Sequence, residues 1–265
     1  MNLEKLYLAY KKLNCTFDPF YQRDVSEFQQ LVDAHSPLSR NKIQDMISIL
    51  KQDEDSSKKY FVMDFLKLYK EEIPHELYEP VFDAGIRHRD PSFNRLFFII
   101  SKQMKGPQAF MEDIIKLIKG KDLYRKIKAI DSLYWNFHLY WSFAIEDEKS
   151  YEKYVRERAI GQEEEIYKIL NILMREFQKS RNFLVSYMLA TYLPKYVSRY
   201  PEEWQEEAQD IIAQIKKEGL PFYHKATKEE FQLLWKKALE NEEIGSLFFD
   251  QLKWRKREAN PESES

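Results

Sequence analysis

From Asp122 onward, apolar residues return every third or fourth position: Leu123, Ile127, Ile130, Tyr134, Phe137 and Trp141, with Leu133 and Tyr140 widening the stripe. This is the period of an α-helix resting one face on a core, and the Asp122 side chain is suited to cap its first turn. The stretch from Asp90 repeats the pattern, with Asp90 as cap, Pro91 at the first helical position, and Phe93, Phe97, Ile100 and Met104 along one face. Further amphipathic segments begin at Pro74, Gly106, Glu163, Arg181 and Pro201, and a final pair is expected from Thr227. The chain has only six glycines and ten prolines, and Pro74, Pro91, Gly106 with Pro107, Gly120, Pro201, and Gly219 with Pro221 all fall between these segments. There they start or stop helices. No alternating run of β-branched residues and no Asn-Gly or Asp-Gly turn marks a hairpin, so the expected fold class is all-α.

The helix starts near Ser57, Asp90 and Asp122 lie about 33 residues apart, and each of those helices is followed by a second one. Two helices per unit at this interval are the mark of a helical repeat array. The starting stretches resemble the first helix of HEAT-type repeats, in which an Asp or Asp-Pro turn precedes a basic residue and then spaced apolar positions. Asp90, Pro91 and Arg95 hold those places in one unit, and Asp122, Arg125 or Lys126, Ala129 and Leu133 hold them in the next. The resemblance covers Ser57 to Leu133. It implies a right-handed α-solenoid of stacked helix pairs, although Phe97 and Phe98 stand where such repeats favour small residues. The corresponding organisation is a single helical-repeat domain over 1–258. Within it, capping helices occupy 1–52, the best-defined repeats 57–143, a charged insert 144–162 and further helix pairs 163–258, with a disordered tail over 259–265.

Composition narrows the classes of function. A chain of 265 residues with 43% hydrophobic and 15% aromatic residues has ample material for a core. The net charge of −2, from 42 basic and 44 acidic residues, produces no global field for nucleic acid or anionic membrane. Cys15 is the one cysteine, which excludes an internal disulfide and fits a cytoplasmic address. Glu4, Lys5, Lys11 and Lys12 interrupt the apolar positions of the first fourteen residues, unlike the core of a signal peptide. No apolar run approaches the roughly 18 residues of a membrane span, so no membrane partner is expected.

Motifs for catalysis or metal binding dissolve on inspection. His88, Arg89 and Asp90 spell the kinase catalytic-loop triplet, but without a glycine-rich phosphate loop or an Asp-Phe-Gly motif. Glu72 and His75 have the spacing of di-iron ligands, yet Pro74 lies between them and breaks the helix that would align them. His75 with Glu76 supplies one imidazole where a zincin needs two. His35, His138 and His224 have no ligand set beside them, and Cys15 has no base near it in sequence. Neither metal, cofactor nor catalytic residue is expected.

What remains is surface. From Lys102 to Lys128 eight basic residues face three acidic ones, a local balance of +5. Lys116, Lys119, Lys121, Arg125 and Lys128 form a candidate basic ridge, since Lys121, Arg125 and Lys128 share a helix face. Trp135 and His138 lie off the apolar stripe of their helix, and Asp131 beside Trp135 is the pair a DNA glycosylase-like variant of the fold would use. Glu202, Glu203, Glu206, Glu207 and Asp210 form an acidic stretch of which the first four suit a helix N-terminus. The leading expectation is a non-enzymatic repeat protein that binds a macromolecule, foremost another protein. Nucleic-acid binding, including glycosylase-like activity, is the alternative.

Overall fold

A computed structural model describes residues 3–12, 26–52, 56–88, 91–136, 149, 150, 153 and 163–220. Eleven α-helices and three short 3-10 turns account for the described secondary structure, and no strand occurs among the described residues. None of these helices is long and apolar enough to cross a membrane. The chain divides into two compact units, Met1–Phe110 and Met111–Ser265.

The first unit contains α1 (Leu3–Lys12), α2 (Ser26–Asp33), α3 (Arg40–Lys51), α4 (Ser56–Leu68), α5 (Tyr78–Arg87) and α6 (Pro91–Lys105); a 3-10 turn, His75–Leu77, leads into α5. Starts at Ser56 and Pro91 match the sequence pattern, while Asp90 lies outside the described residues. The break after α6 follows from two residues. Gly106 takes φ 86°, and its N–H reaches the Lys102 carbonyl at 2.8 Å, closing the left-handed cap that a glycine adopts without a Cβ clash. Pro107 then opens α7 (Pro107–Lys119), at the position where the missing N–H costs nothing.

The core of this unit joins Leu6, Phe28, Met46, Phe61, Phe65, Leu77, Val81, Phe97 and Ile100, all nearly or fully buried. Each such side chain contributes about 1.5–3 kcal/mol by leaving water. Tyr10, Phe28 and Phe61 meet as a tilted cluster with centroids 5.0 to 6.2 Å apart. α5 packs most extensively on α6, α3 packs on both α4 and α5, and α4 packs on α6. Gly85 explains the α5–α6 approach: a Cβ there would lie 2.8 Å from Phe97 Cβ and 2.9 Å from Phe98 Cε1. The small residue sits on α5, and so α6 can carry two phenylalanines where the repeat pattern favours small side chains.

The second unit continues from within α7 through α8 (Leu123–Asn136), α9 (Glu163–Lys179), α10 (Phe183–Ala190) and α11 (Gln205–Lys217). Asp122 caps α8 as expected, accepting from Arg125 N at 3.0 Å. Asn182 caps α10 through Val185 N at 3.1 Å. At the end of α11, Gly219 has φ 65° and donates to Lys216 O while Leu220 N reaches Ile215 O. These two bonds, with Leu220 and Ile215 both buried, make a Schellman stop.

α8 packs on α10, α10 on α9, and α9 on α11. Every residue of α10 from Leu184 to Ala190 is buried, which its nearly uniform apolar sequence requires. The helical segment expected from Arg181 to Tyr200 is shorter than its sequence: α10 ends at Ala190, Pro194 follows, and only a 3-10 turn, Val197–Arg199, reappears. Most of the charged insert and everything from Pro221, including the expected final pair, the Lys253–Glu258 basic run and the tail, lie outside the described residues.

Candidate binding surfaces

The α7–α8 corner carries the basic ridge, and the structure sorts its members. Lys116 is exposed and pairs with Asp113 one turn back at 2.9 Å. Lys119 and Lys121 are exposed, and neither has an ion-pair or hydrogen-bond partner among the described residues. Arg125 is half-buried beside them. Lys126, which faces away from the ridge, is held by Glu176 of α9 at 2.9 Å with only 17% and 11% of the two side chains exposed.

Lys128 departs from the expected ridge. It is 7% exposed, because α8 from Ile127 to Leu133 is covered on every side, Asp131 and Ser132 included. Helical spacing does place Lys121, Arg125 and Lys128 on one face, but that face enters the interior after Arg125. The solvent-facing ridge is thus Lys116, Lys119, Lys121 and Arg125.

Asp131, the acidic member of the glycosylase-type pair, is buried as well. Asp131 is 7% exposed, and its backbone carbonyl accepts the Tyr192 hydroxyl at 3.1 Å. Tyr134 and Trp135 belong to α8, whereas Phe137, His138, Tyr140 and Trp141 lie outside the described residues, as do Cys15 and His224. His35 Nδ1 bonds the Leu31 carbonyl at 2.8 Å, a local helix-end contact. Among the described residues, no three His, Cys, Asp or Glu side chains converge as metal ligands; Glu72 and His75 are both exposed around Pro74.

Three constellations were invisible in the sequence. In the first unit, Tyr60 OH and His88 Nε2 lie 2.7 Å apart, with Phe97 against both rings. Also in that unit, Tyr10 donates to Asp64 at 2.7 Å. Burial pushes the Asp64 carboxyl above its ordinary range, opposed by the Tyr10 bond and the nearby Lys67. In the second unit, Arg199 is 4% exposed and lies over the Tyr196 ring, while Tyr200 donates to Pro194 O at 2.9 Å. Burial raises the Tyr200 phenol.

A further surface of the second unit has the opposite sign to the ridge. Tyr167 of α9 and Trp204, at the start of α11, meet edge to face at 6.1 Å and 83°. Tyr167 remains 42% exposed. Its sequence carried a usable signal: it falls off the buried stripe of Ile166, Ile169, Leu170, Leu173 and Phe177. Glu202 and Glu203 stand in a 3-10 turn ahead of α11 and Glu206 and Glu207 in its first turn, all exposed.

Comparison with known protein families, curated proteins and solved structures finds no match to this chain.

Proposed function

We propose that the chain is a non-enzymatic, cytoplasmic helical-repeat protein that binds an acidic surface of a protein partner through the α7–α8 corner. One observation carries this reading. Lys119 and Lys121 face solvent with no ion-pair partner among the described residues, while Lys116 and Lys126 on either side of them are engaged. Exposed, unneutralised charges at one corner steer an oppositely charged partner and set its docking register. Stacking of α3 on α5 and α4 on α6 supports the repeat-like, solenoid part of the reading, since neighbouring pairs bury each other's apolar faces and leave long outer faces free.

The test is capture of partners from native lysate by the full chain, repeated with Lys119, Lys121 and Arg125 changed to Glu. Loss of a captured protein on charge reversal is the expected result. An unchanged set of partners refutes the role of the corner. Capture of nucleic acid instead, with affinity falling steeply as salt rises, would transfer the corner to phosphate binding.

A further inference from the structure

The surface between α9 and the start of α11 is not explained by packing alone. Trp204 is half-buried and helps seat the two helices, but Tyr167 keeps 42% of its surface in water beside it. The Tyr167 hydroxyl has no hydrogen-bond partner among the described residues. Two amphipathic rings in contact at a helix junction, one of them wet, form the kind of platform on which a cation settles.

Charge around the rings agrees with that reading. Glu164 lies one turn before Tyr167 on α9, Glu202 and Glu203 immediately precede Trp204, and Glu207 lies one turn after it. All four are exposed, and none has an ion pair or hydrogen bond among the described residues. Glu164 and Glu207 lie in first turns, and Glu202 and Glu203 in the turn just ahead of α11, so the helix dipoles also favour all four. Among the cations on these elements, Lys168 is exposed about 100° round α9 from Tyr167, Arg175 and Lys179 lie roughly 12 and 18 Å along α9 from it, and Lys216 and Lys217 lie roughly 18 Å along α11 from Trp204.

We infer that the Tyr167–Trp204 pair and its flanking carboxylates form a docking surface for a lysine- or arginine-rich segment of a protein partner. One cationic side chain lies on the rings, and its neighbours in the segment pair with Glu203 and Glu207. The inference goes beyond the reading of the basic corner, because it uses none of the α7–α8 lysines and requires a partner of opposite charge.

The experiment titrates the full chain against a fluorescein-labelled nonapeptide of alternating lysine and arginine, read by anisotropy at 50 and 300 mM salt, with a glutamate nonapeptide as control. Tyr167→Ala is expected to weaken binding about 3- to 10-fold, the range of a partly exposed cation–π contact. Tyr167→Phe, which keeps the ring, should bind as the parent does. Glu203→Lys with Glu207→Lys should weaken binding at least as much and flatten its salt dependence. Lys119→Glu with Lys121→Glu should not weaken it, which separates this surface from the corner. Far-UV circular dichroism confirms that the Tyr167 variants fold. Failure of the basic peptide to bind at 50 mM salt overturns the inference, as does equal binding by Tyr167→Ala. A self-associating chain that Glu203→Lys with Glu207→Lys renders monomeric also overturns it, by making a second copy the occupant.

Discussion

Replacing Gly85 with alanine tests the packing argument at its tightest point. In an isolated helix the change would stabilise by up to about 1 kcal/mol, because alanine is the better helix former. Here the new methyl carbon would lie 2.8 Å from Phe97 Cβ and 2.9 Å from Phe98 Cε1. Carbon atoms settle at about 3.5–4.0 Å. The Phe98 ring can swing, but Phe97 Cβ is fixed to the backbone of α6, so the two helices must part by several tenths of an ångström. Phe97 and Phe98 are 0% and 1% exposed, and parting α5 from α6 loosens contacts on both. Overpacking of this kind costs about 1–3 kcal/mol. Set against the full propensity gain, the net loss is up to about 2 kcal/mol. With a urea slope of about 2 kcal/mol/M, the unfolding midpoint should fall by up to about 1 M. Far-UV circular dichroism during urea titration reads this directly. Combining Gly85→Ala with Phe98→Leu should recover only part of the loss, since the Phe97 contact remains. A midpoint at or above that of the parent would refute the account of how α5 and α6 come together.

Other consequences concern buried charge. Asp64 has a folded-state pKa raised by burial, so its contribution to stability is full below the ordinary value of 3.8 and is lost as pH rises through the raised value. Asp64→Asn keeps an acceptor for the Tyr10 hydroxyl and removes that titration. Its stability relative to the parent should therefore grow as pH rises across this window, measured by urea unfolding at successive pH values; a constant difference would show that Asp64 titrates normally. Lys126→Ala should cost about 1–3 kcal/mol, between the values for exposed and fully buried pairs, because Glu176 is 11% exposed and, among the described residues, keeps only Lys179 at 3.7 Å. Lys116→Ala, which breaks an exposed pair with Asp113, should change stability by less than about 0.5 kcal/mol in the same assay.

The sequence by itself determined the all-α class and where most helices begin and end. Asp122 caps α8, Pro91 opens α6, and Gly106 with Pro107 divides α6 from α7, as read from the residues alone. These are decisions of a few neighbouring residues: a side-chain oxygen reaching a free N–H, a fixed φ, or a missing Cβ. Ile127, Ile130 and Leu133 are buried for the same reason, since a period of three or four assigns them to one face.

Only the tertiary structure decided which helices are partners. Gly85 against Phe97 and Phe98 joins α5 to α6, a match of shapes that no spacing along the chain reveals. It also decided that Lys128 leaves the ridge, because α8 from Ile127 to Leu133 is enclosed on all sides, whereas periodicity gives a residue's direction and not what lies there. Tyr10 with Asp64, Lys126 with Glu176, and Tyr167 with Trp204 each join residues at least 37 positions apart. Such contacts depend on how whole helices stack, and that follows from the volumes of many side chains fitting at once.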